Sequence, residues 1–493
     1  MRGALHSQGP SVVSAHAVAT LAPTSPSTPQ PMTQPKIRDR AHVVAAAVSL
    51  VAVGMAYSLA WERVAHHTGG WSTPADLWAT FRAAHLVGWG GEGLLYGSGT
   101  GLVTLPGIAV VLAPVAMVSG ALHLSESFPL ALAHPTAWLL VGPVEMALGA
   151  VLLFPLDDLA RRIGVPSRRR VVLVWLEAAL VWPVVVLWGH PEDPLALACA
   201  LYGLMAALDG RWRRGAVLFA VAVAVQPLTV LLLPIVAAYV PPRAWPRAGA
   251  IVAAPSALLL VAPLAHAWGA TTHALLDQPN FPTIDHGTPW AALAPVLGRA
   301  AGAGAHGAHG AQGAHGVAAG TLGAHGALAV AAGPGRMLAL AGAVLIGLLV
   351  ARRRPPEATV VWLAALALSL RCVFEAVVDP YYLLPGLAVS LVVAARLGRA
   401  QLAVGVALAA AATALSCRHA GPWAYYLPMA ALLLATWAVG WPRLRLERPR
   451  LAAVGERDAP RVWDAVPGGA AVDLHGPGRA PRVGPGAAVT RGR

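Results

Sequence analysis

The sequence predicts an all-α, polytopic transmembrane helical bundle of about 12 helices with a large first extracytoplasmic loop. Three observations carry this expectation. First, 57% of the 493 residues are hydrophobic and only 12% are charged, with a mean hydropathy of +0.62, far outside the range of water-soluble domains. Second, apolar runs approaching the roughly 20 residues needed to span a hydrocarbon core recur from Ala41 to Trp441. Third, these runs are continuous Ala, Leu and Val, not the alternating ten-residue segments of a transmembrane β-barrel.

The formal charge of +13 does not point to nucleic acid, because the basic residues sit in short clusters between apolar runs and in the two tails. Lys36 is the only lysine, so Schiff-base lysine chemistry in the membrane domain is excluded. Cys199, Cys372 and Cys417 are scattered and odd in number, which encodes neither a disulfide framework nor a zinc site. No metal and no other cofactor is expected.

Taken in order, residues 1–40 are rich in Ser, Thr, Pro and Gln and lack an apolar core. They read as a disordered cytoplasmic tail and not as a cleavable signal peptide. Lys36, Arg38 and Arg40 precede the first run, Ala41 to Trp61, which the positive-inside rule makes a signal anchor. Arginine clusters at 161–162, 168–170, around Trp212 (Arg211 and Arg213), 243–247, 352–354, 396–399 and from Arg443 onward then set the topology. With all of them cytoplasmic, crossings are expected near 136–156, 171–189, 195–208, 215–226, 228–240, 249–267, 336–351, 358–374, 382–396, 401–416 and 422–441. Both termini are then cytoplasmic, in an inner (plasma) membrane. Gly101 to Leu122 would break the parity, so it is expected to be re-entrant or interfacial. The segments beside Gln226-Pro227 and Asp379-Pro380 are short for full spans, since proline ends or kinks a helix there.

This places the transmembrane domain at 41–441, with extracytoplasmic loops at 62–135 and 269–335. The first loop contains an amphipathic helix, Ala75 to Val87, opened by Ser72, Thr73 and Pro74. The second contains a Gly-Ala-His low-complexity stretch, 300–328, with His306, His309, His315 and His325. Flexible glycine-rich chain must be ordered at entropic cost before ligands converge, so a neutral insertion accounts for it better than a metal site. Residues 442–493 are Arg, Pro and Gly-rich and read as a disordered basic cytoplasmic tail beside anionic lipid.

With that topology, Asp76, Glu92, His190, Glu192, Asp193, Gln226, Asn280, Asp285, His286, Glu375 and Asp379 fall at the outer face, with Arg371 just inside its helix end. Solvated loop residues would also be polar, but the tight turn His190-Pro191-Glu192-Asp193-Pro194 crowds three ionisable groups at the membrane border. Gln226-Pro227 reads equally as a structural kink or a ligand-facing break. Arg371, Glu375 and Tyr381-Tyr382 cluster at one helix hairpin, where the four-residue spacing of Arg371 and Glu375 predicts an ion pair on one helix face. Asp76 starts its helix, where the helix dipole alone would favour an acid.

A signal anchor, a large outer loop with an acidic residue, a tight acidic turn and then "LDGRWRRGAVLFAVAVAVQPLTVLLLPIV" from Leu208 to Val236 resemble the GT-C class of polyprenyl-phosphate-sugar-dependent glycosyltransferases. The likeness is strongest to actinobacterial mannosyltransferase-like integral membrane proteins. It includes Gln226-Pro227 and Pro234, "NFPTIDHGTPW" (Asn280 to Trp290) and "RCVFEAVVDPYYLLP" (Arg371 to Pro385), and covers roughly residues 42–441. The resemblance implies a GT-C-type fold and an inverting, metal-independent transfer of a sugar, mannose above all, from a polyprenyl-phosphate donor to a glycolipid, glycan or protein acceptor outside the cell. The class carries a clear acid soon after the first helix; here Glu62, Asp76 and Glu92 all compete for that place. Asp76 is preferred as the base because "TPADLW" puts its carboxylate at the interface. Glu92, His190, Glu192, Asp193, Gln226, Asp285, His286, Arg371, Glu375 and Tyr381 are then the expected substrate-binding residues. The rival expectations are a transporter or flippase for a lipid-linked or small polar substrate, which would put ionisable groups near the midplane, and an inactive scaffold of the same shape.

Overall fold

The computed structural model describes residues 40–441 apart from 66–70, 72, 98–99, 126–134, 284, 300–327 and 419. The expected tails, save Arg40, and the four histidines of the Gly-Ala-His stretch lie outside the described residues, as does the side chain of Glu62.

The chain is an all-α membrane protein, as continuous Ala/Leu/Val runs demand: only helices satisfy every backbone group within one segment. Among the described residues, eight segments are long and apolar enough to cross a membrane. The first is α1 (Ala41–Ala65); α2 (Ala75–Gly88) and α3 (Gly107–Ala121) follow it and pack on each other. Next comes a span made of α4 (Trp138–Ala150) and α5 (Leu153–Arg162), broken at Val151 and Leu152. Then come α6 (Ser167–Val186), α7 (Glu192–Leu208), α8 (Trp212–Val225) and the short α9 (Leu233–Ala237). The remaining spans include α10 (Trp245–His266), followed by α11 (Trp268–Thr272) and, beyond the strands, by α12 (Gly335–Arg353) and α13 (Glu357–Phe374). The last three involve α14 (Leu383–Leu397), α15 (Arg399–Ser416) and α16 (Pro422–Gly440).

Eight such segments stand against the 12 crossings expected from sequence. The other four expected crossings are all helical but depart from a full span. The α6 helix carries Arg168, Arg169 and Arg170, α7 and α8 have 17 and 14 residues, and the segment after Gln226 is a 3-10 turn leading into α9. The run 101–122 yields α3, whose 15 residues extend about 22 Å at 1.5 Å per residue. The second loop holds two short antiparallel strands, β1 (Val296–Arg299) and β2 (Leu328–Val330), which an all-α reading does not anticipate.

Two polar ends bracket the apolar body. At one, Arg170 and His42 meet Asp157, Arg40 and Arg161 meet Asp158, and Arg162 joins Asp209 to Glu357. Arg396 donates to the Ile163 carbonyl 2.6 Å away, so the arginine-rich ends of α1, α5, α6, α7, α13 and α14 gather together. Because consecutive helices alternate in direction, the far ends of α6, α8 and α13 and the starts of α7 and α14 meet at the opposite end. The inner faces of these helices form the core, α14 being buried over most of its length and α10 lying at the periphery.

Candidate functional site

The opposite end is organised by breaks in helices. Pro183 lies near the end of α6, and after Leu187 the chain turns through Gly189, whose φ of +73° suits glycine. A Cβ at Gly189 would press against Pro74 and Leu77, so this glycine lets the start of α2 settle beside His190. Pro191 then opens α7, placing Glu192 and Asp193 in its first turn.

The imidazole of His190 bridges two acids that are distant in sequence. Nε2 lies 3.1 Å from Asp76 Oδ2 and Nδ1 lies 2.6 Å from Glu192 Oε1. Its ring stacks on Tyr381 with centroids 3.6 Å apart, and the Tyr381 hydroxyl donates to Asp379 Oδ2 at 3.0 Å. Burial alone would push His190 down, but the charge of Glu192 and hydrogen bonds with Asp76 and Glu192 outweigh it and hold its pKa well above the ordinary value. Each ring nitrogen thus faces an acid, an arrangement that favours the doubly protonated imidazole. About a quarter of the Asp76 side chain is exposed, against 5% of Glu192, so Asp76 is the open end of the chain.

On the other side of the turn, Pro227 removes the backbone donor that would continue α8, and Gln226 adopts an extended conformation at its end. Its amide nitrogen donates to Asp193 Oδ1 at 2.9 Å. The break is thus both a kink and a polar contact of the site.

The second loop arrives through backbone pairing. Gly287 pairs with Val377, Val378 N–H donates to the His286 carbonyl at 3.0 Å, and the Thr288 hydroxyl donates to the Glu375 carbonyl at 2.6 Å. This brings in Asp285, whose pKa is pushed well above the usual carboxylate range by burial and then by the charges of Asp379 and Asp76. Asp379 is also raised by burial, with its tyrosine hydrogen bonds opposing. The His286 ring lies against Tyr425, 4.5 Å between centroids.

One expected contact is present and extended. The Arg371–Glu375 ion pair forms at 3.7 Å, with Glu375 capping α13 just beyond Phe374 in an extended conformation (φ −70°, ψ 149°). Arg336 of α12 adds a hydrogen bond to Glu375 Oε1 at 2.9 Å. Gly335 makes this possible, since a Cβ there would collide with the Phe374 carbonyl. Arg371 also sits over the Tyr382 ring, its Cζ 3.3 Å from the centroid. Glu92 opens a 3-10 turn that packs on α10, and among the described residues no hydrogen bond or ion pair ties it into this network.

Two participants escaped the sequence reading, Arg336 and Glu145, as did a buried acid outside the network, Glu177. Glu145 of α4 is fully buried within electrostatic reach of Glu192 and His190, and Glu177 of α6 is fully buried farther down the bundle. Each is a lone acid in an apolar run, "LLVGPVEMALGA" and "VVLVWLEAALVW", and that isolation was the available signal.

Chemically, the assembly offers an accessible carboxylate backed by an imidazolium, two guanidinium groups, and buried acids. Ligand atoms of His190, Glu192 and Asp193 lie within 4.8 Å of one another, a spacing a metal ion could use. No family model matches this chain, and no curated protein matches it in sequence.

Proposed function

We propose that the protein is an integral membrane glycosyltransferase of GT-C type. It moves a sugar, mannose by the sequence resemblance, from a polyprenyl-phosphate donor to a glycolipid, glycan or protein acceptor on the extracytoplasmic side. The observation that carries the reading is the Asp76–His190–Glu192 chain at the end of the bundle opposite the arginine-rich turns. Under the positive-inside rule the arginine end is cytoplasmic. The 12-crossing topology, with both termini inside, follows if α6, α7, α8 and the Pro227–Ala237 segment also traverse as a tilted group.

In this reading Asp76 takes the proton of the acceptor hydroxyl while that oxygen bonds to the anomeric carbon and the carbon–phosphate oxygen bond breaks. The phosphate leaves with its lipid, and a single displacement inverts the anomeric centre. The His190 imidazolium steadies the Asp76 carboxylate. Arg371 and Arg336 are the cations available where charge develops on the departing phosphate. Asp285 with His286 shapes the acceptor side. The test is Asp76→Asn: it keeps the shape of the side chain, removes the base, and is expected to abolish sugar transfer from a lipid-linked donor in membranes.

A second reading, a proton-coupled transporter, is favoured by one observation: Glu145 and Glu177 are buried acids inside apolar helices, where transport sites place them. Uptake or lipid flipping by proteoliposomes, abolished in Glu177→Gln, would favour it over group transfer.

A further inference from the structure

Glu192 and Asp193 share an unusual arrangement. Each is almost fully buried, at 4% and 2% exposure. In each, one oxygen is held by a side-chain donor: Glu192 Oε1 by His190 Nδ1 at 2.6 Å, Asp193 Oδ1 by Gln226 Nε2 at 2.9 Å. The other oxygens, Glu192 Oε2 and Asp193 Oδ2, are buried without a hydrogen-bond partner among the described residues. Independently, Glu145 arrives from α4 with no exposure at all and with both oxygens bare. Three acids from two helices thus leave four naked oxygens in an apolar interior, where bare carboxylates are costly. Among the described residues neither nearby cation hydrogen-bonds these bare oxygens: His190 lies between Asp76 and Glu192 Oε1, and Arg371, over Tyr382 and beside Glu375, reaches Asp193 only through space.

Carboxylates oriented through one oxygen and open at the other are what metal ligands look like when outer groups hold them in place. The reach fits as well. Two oxygens on opposite sides of a small hard cation, each bound at about 2.0–2.1 Å, stand about 4 Å apart; Glu192 and Asp193 each offer a ligand atom within 4.8 Å of the other, and Glu145 is within electrostatic reach of Glu192. Since both imidazole nitrogens face carboxylates, His190 is the group that orients Glu192 and not a ligand itself. An all-oxygen donor set selects a hard divalent ion.

We propose that Glu192 and Asp193, completed by Glu145, bind a hard divalent cation of the Mg²⁺ or Mn²⁺ kind. Resting on the transferase reading, the role of this cation is to receive the phosphate oxygens of the lipid-linked donor, which departs from the metal-independent chemistry expected from sequence.

The test uses the full-length protein in detergent, stripped with chelator and titrated with Mn²⁺ while the free-ion electron paramagnetic resonance signal is followed. One bound Mn²⁺ per chain is expected, accompanied by a higher unfolding temperature. Affinity should fall at least tenfold in Glu192→Gln, Asp193→Asn and Glu145→Gln, and stay unchanged in Asp209→Asn at the arginine-rich end. Absence of binding by the folded wild type, or binding that the three site variants leave intact, overturns the site. Infrared spectra supply a second reading: a protonated carboxylic acid band that Glu145→Gln removes and Mn²⁺ does not displace means that protons occupy these oxygens, which also overturns it. Mn²⁺ binding is measured without donor, so it stands or falls apart from the transferase reading. Binding accompanied by transfer that chelator does not slow retains the site and removes its proposed role.

Discussion

Replacing His190 by alanine tests whether the bridge it forms is the organising contact of the site. The substitution strands Glu192, 5% exposed, and Asp76, about a quarter exposed. Removing one partner of a buried ion pair costs about 3–5 kcal/mol because the other charge is left uncompensated. The Asp76 arm, partly in water, adds no more than about 1 kcal/mol. With an unfolding entropy of about 2 cal/mol/K per residue over roughly 400 residues, the main loss corresponds to a fall of about 4–6 °C in unfolding temperature. Loss of the stack on Tyr381 contributes too, but it is common to any background. The assay is therefore a double-mutant cycle by thermal unfolding in detergent with chelator present. In a Glu192→Gln background, where no charge remains to be stranded, His190→Ala should cost only about 1–2 kcal/mol, giving a coupling of about 2–3 kcal/mol. Equal losses in both backgrounds would show that His190 acts by packing alone and would refute the bridge.

Three further outcomes are expected. Asp285→Asn should stabilise the protein at neutral pH. The raised pKa means that the folded chain holds this proton more tightly than the unfolded chain, whose Asp titrates near 3.9, so ionisation destabilises the fold as pH rises. The difference in unfolding temperature between variant and wild type should vanish below about pH 4 and grow as pH rises through the elevated value; a constant difference contradicts it. Gly189→Ala should cost about 1–3 kcal/mol, from a positive φ and the collision with Pro74, and should lower transfer with little effect on expression, read by unfolding temperature and turnover. In a chain whose three native cysteines are replaced by alanine, His273→Cys in the second loop should react with a membrane-impermeant maleimide on intact cells. Arg214→Cys at the arginine-rich start of α8 should react only after permeabilisation, and the reverse pattern would invert the topology.

The all-helical membrane character was legible because composition and run length reflect one dominant constraint, satisfaction of the backbone in hydrocarbon. Crossing number was less so. Charges, prolines and lengths of 14–17 residues in the α6–α9 region make helices that sequence can locate but whose passage through the bilayer depends on tilt and neighbours. At the site, the Pro-flanked acidic turn at His190–Pro194 was legible as a crowded polar border, and Gln226 as a break. The pairing of His190 with Asp76, 114 positions apart, was not, because it depends on Gly189 admitting Pro74. The Arg371–Glu375 pair was legible from its four-residue spacing; the shorter contact of Glu375 with Arg336 was not, because it depends on α12 packing against the end of α13 at Gly335. Glu145 and Glu177 were harder to read, because a single acid in an apolar run carries no neighbouring motif.

The most direct measurement incubates purified wild-type protein and Asp76→Asn with polyprenyl-phosphate-mannose and membrane extract and follows the appearance of a mannosylated product. The account predicts a new product with the wild type and none with the variant at equal folding. Undiminished product with Asp76→Asn, or none with the wild type across glycolipid, glycan and protein acceptors, would contradict it.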